Sequence, residues 1–217
     1  MGHSTAGPAS LRRMVLDWDD SRRAFADAAA WFVRTAALVG DRWEGPGLGE
    51  WDVRALVGHT SRSLLTVETY LARPAASVEV GSAEDYVRVT RTVATGPAVA
   101  ARGRDAGSAL GDDPASAVAE VAGRVLPLVD ARDGTELLTT IAGGMRLADY
   151  LPTRTFELAV HTADLAIALG APVDIPATTA AQALGLVTEL AVADGRAGPL
   201  LLLATGRPSP PTGFSVL

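Results

Sequence analysis

Residues 149 to 170 hold an apolar segment of helical length that is interrupted only at helical spacing. Projected at about 100° per residue, Arg154, Glu157, His161 and Asp164 fall within roughly 80° of one another. The rest of the rod is Phe156, Leu158, Ala159, Val160, Ala163, Leu165, Ala166 and Leu169. A helix that is apolar over most of its circumference must be packed on most of it, which points to an all-helical bundle. Glu157 and His161 stand one helical turn apart, a spacing that lets a carboxylate and an imidazole reach one metal ion. The stripe has two readings: the wet side of an amphipathic helix, or a ligand face turned into the bundle. Periodicity does not choose between them.

The other elements follow the same period. A first helix spans Asp17 to about Val39, with Gly40 as its C-terminal cap. After the loop of Gly45, Pro46, Gly47 and Gly49, Asp52 caps a second helix running from Val53 to about Ala72, with Trp51 placed to staple onto Leu56. His59 sits at the edge of its apolar stripe, on the flank of Ser63 and Tyr70. Taken alone, it reads as a hydrogen-bonded boundary histidine. Ser82 opens a third helical stretch, interrupted at Gly96-Pro97 and resuming to about Leu110. Asp113-Pro114 starts another, with Pro127 near its end. Residues 135 to 147 read as a small β-hairpin turning at Gly143-Gly144. Asp149 is the expected cap of the stripe helix, with Pro152 in its first turn and Gly170 at its end. A last helix, Thr178 to Asp194, is expected to bury Ala181, Leu184, Val187, Leu190 and Ala191. Leu200 to Leu203 read as a short strand or helix end before a Pro-rich tail.

The fold expectation is therefore a mainly α four-helix bundle with a small β-hairpin and a short C-terminal α/β appendage. Its division is residues 1–15 as a loose N-terminus, 16–172 as the bundle and 173–217 as the appendage (helix, short strand and tail).

Several chemistries are excluded. The chain has no cysteine, hence no disulfide, thiolate ligand or cysteine nucleophile. All 19 basic residues are arginine, which removes lysine Schiff-base chemistry. A net charge of −6 leaves no footprint for nucleic acid. Mean hydropathy is +0.20, yet no apolar run approaches the roughly 18 residues of a membrane span. Met1 to Ser10 carries no signal-like apolar core, so a cytoplasmic protein is expected, as a monomer or homodimer.

Any metal must then be held by nitrogen and oxygen. The histidines are His3, His59 and His161, and the one set that brings two imidazoles and a carboxylate together is His59, Glu157 and His161. Two histidines and a carboxylate with an open position form a recurrent catalytic set. The paired segments Trp51-Asp-Val-Arg-Ala-Leu-Val-Gly-His59 and Arg154-Thr-Phe-Glu157-Leu-Ala-Val-His161-Thr-Ala-Asp164 resemble the mycothiol-dependent maleylpyruvate isomerase-like proteins, which are DinB/YfiT-like metal-binding four-helix bundles. The resemblance spans roughly residues 15 to 170. It implies that His59, Glu157 and His161 are the metal triad, with zinc the usual ion and nickel an alternative, and that mycothiol is the cosubstrate. Two departures stand out: the isomerase carries a larger C-terminal domain than residues 173–217 provide, and Thr60 replaces a larger apolar residue.

The function this implies is a metal- and thiol-dependent isomerase or S-transferase acting on a small electrophile, with no nucleic acid or membrane partner. Arg154 reads as an anchor for an anionic group or as a salt bridge to a neighbouring helix. Asp164 reads as a surface charge, or as a residue orienting His161 only through a neighbour or water. A metal-hydroxide hydrolase, a non-catalytic metal- or ligand-binding protein and a purely structural helical protein are the alternatives.

Overall fold

The computed structural model describes residues 17–91, 97–207 and 213–217, so the expected loose N-terminus lies outside the described residues. Four helices form the bundle: α1 (Trp18–Ala36), α2 (Val53–Leu71), α5 (Pro114–Asp130) and α6 (Leu147–Ala168). Each packs against two of the others, α1 and α2 both meeting α5 and α6. Around them lie α3 (Ala83–Thr90), α4 (Pro97–Ser108), α7 (Ala177–Ala193) and α8 (Ala197–Ala204), with a hairpin of β1 (Leu137–Thr140) and β2 (Gly143–Arg146) between α5 and α6. Among the described residues no helix is long and apolar enough to cross a membrane.

Local chemistry sets the helix starts. Asp17, Asp52, Ser82 and Asp113 each accept the backbone N–H three residues on, the N-cap bond that satisfies an otherwise orphaned donor. Phe25, Phe32, Leu56, Leu64, Val118, Val125, Leu151, Leu158 and Leu165 from the four bundle helices form one buried cluster. Thr60 belongs in this interior because its hydroxyl donates to the Leu56 carbonyl at 2.7 Å, so the small polar residue leaves no unsatisfied group.

Helix α6 begins earlier than expected, and Asp149 does not cap it. Strand β2 runs straight into the helix, and the first two N–H groups, of Leu147 and Ala148, donate to the carbonyls of Glu136 and Gly134. The chain before β1 therefore does the work of a capping side chain. Asp149 lies inside the first turn, 3.6 Å from Arg146, and Pro152 falls in the second turn. It removes the donor that would meet the Ala148 carbonyl.

The hairpin turns at Ile141 and Ala142, not at the glycines. Gly143 and Gly144 lie in β2, antiparallel to Thr140 and Thr139. The reason is outside the hairpin: Glu79 and Val80 both donate to the Gly144 carbonyl, and a Cβ on Gly144 would overlap the Ser77 carbonyl oxygen. Glycine is needed there for close backbone approach.

Helix α7 buries Leu190 and Ala191 as expected and packs Val187 against the core, but its first half faces differently. Ala181 and Leu184 face solvent, while Thr179, Gln182, Ala183, Leu186 and Leu190 are buried. Polar anchors override the apolar pattern: Thr179 donates to the Ala24 carbonyl and Gln182 to the Ser21 hydroxyl of α1. Leu186 and Leu190 then pack in a second cluster with Phe156 and Ala159 of α6. Ala197–Ala204 is helix α8, so of the two readings of Leu200 to Leu203 the helix end holds, and the short strand expected in the appendage is replaced by helix.

Candidate metal centre

The polar stripe of α6 is turned toward α2. Asp52 fixes the start of α2, which carries His59 on the second turn, and α6 brings Glu157 and His161 to it. One donor atom from each of the three lies within 4.8 Å of the others. His161 Nε2 is 3.3 Å from Glu157 Oε2, and the two imidazole centroids are 4.7 Å apart in an edge-on arrangement. Donors on a tetrahedral ion with bonds of about 2.1 Å stand about 3.4 Å apart. The α6 pair already has that spacing, and closing the triad requires a small approach.

The two histidines are held differently. His161 Nδ1 is 3.1 Å from Asp164 Oδ2, a direct contact along one helix. Asp164 needs neither a neighbour nor water to reach the ring. No hydrogen bond reaches the His59 ring among the described residues, and its Nδ1 is buried without a partner. Instead the ring lies against the indole of Trp51, centroids 4.5 Å apart and planes tilted by 34°. Trp51, expected as a staple for the start of α2, is a wall of the site.

These surroundings separate the charges. Burial and the nearby His161 cation push the His59 imidazole down to about 4, so it is neutral at pH 7. Burial acts on His161 in the same sense, but its hydrogen bonds to Asp164 and Glu157 more than offset it and hold the ring protonated to about 9. Burial disfavours the Glu157 carboxylate, yet the His161 hydrogen bond and the Arg154 charge bring it down to about 2. The metal-free site is thus an imidazolium between two carboxylates beside a neutral imidazole.

Arg154 is one turn before Glu157. Its guanidinium lies 5.1 Å from the Tyr150 ring centroid and 5.6 Å from that of Tyr86, and Nε donates to Thr153 Oγ1. Tyr150 is itself fixed by its hydroxyl contact with Thr66 Oγ1 at 3.0 Å. No carboxylate lies within 4 Å of Arg154 among the described residues, so of its two readings, anion anchor or salt bridge to a neighbouring helix, the salt bridge is not formed there. The tyrosine platform was hidden from the sequence, because Tyr86 and Tyr150 belong to different helices and follow no motif.

The donor set suits a borderline cation such as zinc, which takes imidazole and carboxylate together and keeps a position open at three-ligand sites. The convergence of three nitrogen and oxygen donors from two helices fits such an ion. The sequence matches the family described as the mycothiol maleylpyruvate isomerase N-terminal domain over residues 22–166, a span that includes every residue of this centre. No curated protein and no solved structure gives a significant match.

Proposed function

The chain belongs to the mycothiol maleylpyruvate isomerase N-terminal domain family, and on that premise we propose a metal- and thiol-dependent enzyme, an isomerase or S-transferase, centred on His59, Glu157 and His161. The observation that carries the reading is the convergence of these three donors within 4.8 Å. A divalent cation there, zinc by the donor set, would supply the Lewis acidity that lets a bound thiol ionise at neutral pH.

The residues of the chain prepare that chemistry. Glu157 is ionised and His59 neutral at pH 7, both in ligand form before any cation arrives. His161 must lose its proton, after which Asp164 holds the ring through Nδ1–H and leaves Nε2 directed at Glu157. Arg154, supported on Tyr86 and Tyr150 with no carboxylate within 4 Å among the described residues, offers its guanidinium to an anionic group of the cosubstrate or electrophile. The chain contains no cysteine, so the thiol comes from solution, and mycothiol is the one the family points to. Residues 16–172 form the proposed metal-binding unit, and α7 of the appended 173–217 segment backs the helix that carries the site.

Two measurements on protein purified without a histidine tag test this. Metal analysis is expected to give about one divalent ion per chain, lost in His59→Ala and His161→Ala. Loss of thiol and electrophile is then followed with mycothiol and with water alone. Turnover only with the thiol supports the reading, turnover with water alone replaces it by a metal-hydroxide hydrolase, and absence of both leaves a binding protein.

A further inference from the structure

A metal-ligating histidine is ordinarily aimed by a hydrogen bond from its second ring nitrogen to a carboxylate, carbonyl or water. His161 has this in Asp164; His59 has no such bond, although its Nδ1 is buried. Two ring contacts flank it: the Trp51 indole at 4.5 Å and the His161 edge at 4.7 Å. Trp51 in turn is held from the far side by α4. Its Nε1–H donates to the Ala100 carbonyl at 3.1 Å, and Gly103 lies so close that an added Cβ would stand 2.6 Å from the indole Cε2. One turn further along α4, a Cβ on Gly58 of α2 would overlap the backbone of Gly107. Glycine inside a helix costs roughly 0.5–1 kcal/mol relative to alanine. Here Gly103 and Gly107 let α4 approach α2 and Trp51 without side chains between them.

We propose that Trp51 is the positioning residue for His59, taking by ring contact the part that Asp164 takes for His161 by hydrogen bonding. Through Ala100 and Gly103, helix α4 thereby becomes a supporting wall of the centre, although it contributes no ligand. The proposal rests on the metal reading of the triad for its consequence, and on the metal-free geometry for its cause. An aromatic face leaves the imidazole free to slide toward Glu157 and His161 as the donors close on an ion, while preventing its rotation out of the site. A carboxylate partner would resist that translation.

The test compares Trp51→Phe, Trp51→Leu and Gly103→Ala with the wild-type chain, and takes Gly123→Ala, a helical glycine with open space around it, as control. Co(II) is the probe, read by competition with a chelator and by its ligand-field absorption. Trp51→Leu and Gly103→Ala are expected to weaken binding about 10–100-fold and to change the spectrum, the effect typical of losing an outer-shell partner. Trp51→Phe, which keeps an aromatic face but loses the Ala100 hydrogen bond, is expected to bind more tightly than Trp51→Leu and to keep a wild-type-like spectrum, and Gly123→Ala to retain wild-type affinity and spectrum. A purely structural tryptophan would lower the melting temperature while leaving the spectrum of the folded protein unchanged, and that result in Trp51→Leu overturns the proposal. So does a Trp51→Phe protein that is as weak as Trp51→Leu at wild-type helicity. If Trp51→Leu does not fold, Gly103→Ala decides by the same readout. If wild-type protein binds no Co(II), the metal reading fails, and ring relaxation of 15N-labelled His59 decides the positioning role. A ring ordered in wild type and mobile in Trp51→Leu or Gly103→Ala supports it, and equal order in all three removes it.

Discussion

His161 Nδ1 and Asp164 Oδ2 meet at 3.1 Å within a single helix, one turn apart, with Asp164 on the side of the ring away from Glu157. The pair sets the tautomer: with Nδ1–H committed to the carboxylate, Nε2 is left for a cation. Asp164→Asn keeps the shape and weakens the acceptor. Metal affinity is expected to fall about 10–100-fold, measured by chelator competition. Unchanged affinity would mean that Glu157 alone orients the ring.

Loading the site requires neutral imidazoles, and at pH 7 only His161 carries a proton to lose. Zinc binding is therefore expected to expel one proton at pH 7, and its affinity to climb about tenfold per pH unit until pH reaches about 9. Titration calorimetry at pH 7 in buffers of different ionisation enthalpy reads the proton directly. A release near zero would show that His161 is already neutral.

The same protons make the metal-free protein sensitive to pH in two directions. The raised His161 value means that its stabilisation is complete below 6.5 and is lost as pH rises toward about 9. His59 is depressed, so its contribution is complete above 6.5 and is lost as pH falls toward about 4. With metal removed, the urea midpoint should pass through a maximum near pH 6.5. A midpoint that rises steadily through pH 9 would contradict the His161 assignment.

Among the described residues no carboxylate lies within 4 Å of Arg154, which rests on Tyr86 and Tyr150 and acts on Glu157 through its charge alone. Replacing Arg154 by methionine keeps the packing volume and removes a desolvated charge, but also the cation that helps hold Glu157 ionised, so Glu157 should titrate higher and the melting temperature should change little. If the guanidinium serves an anionic group of the reactants, kcat/KM in the thiol assay should drop about 10–100-fold, the range of one charge-assisted hydrogen bond. A stability loss with kcat/KM intact would make Arg154 structural.

Gly144 sits where the 77–80 segment crosses β2. Its Cβ would collide with a backbone carbonyl, which cannot rotate aside as a side chain can. Gly144→Ala should destabilise the protein by about 1–3 kcal/mol, the usual cost of overpacking, seen in thermal and urea melts. Gly123→Ala, in open space, should hold or gain stability.

What the sequence disclosed and what it hid divide along the range of the interaction. Asp52, Ser82 and Asp113 act on amides three residues away, so their helix starts were readable from spacing. That His59, Glu157 and His161 lie together was legible from the paired motifs and the family they resemble, helped by the scarcity of histidines. Trp51 over His59 was not, since the loop before α2 and the approach of α4 decide it. The start of α6 was misplaced because its first amides find carbonyls ahead of β1. The burial of Ala181 and Leu184 in α7 was misjudged because Thr179 and Gln182 bond to α1, a preference no hydropathy pattern records. Asp164 was expected not to reach His161 directly, yet helical side chains three residues apart meet when both lean along the same face.

The centre also has an order in time. His59 lies on α2, early in the chain, whereas Glu157 and His161 lie on α6, the last helix of the bundle to be synthesised. While the ribosome is still making the middle of the protein, His59 has neither of its two companions from α6. The set of three exists once α6 has emerged and docked beside α2. On the proposed metal reading, capture would be deferred until α6 has docked beside α2, so a held ion would report that the four bundle helices have assembled.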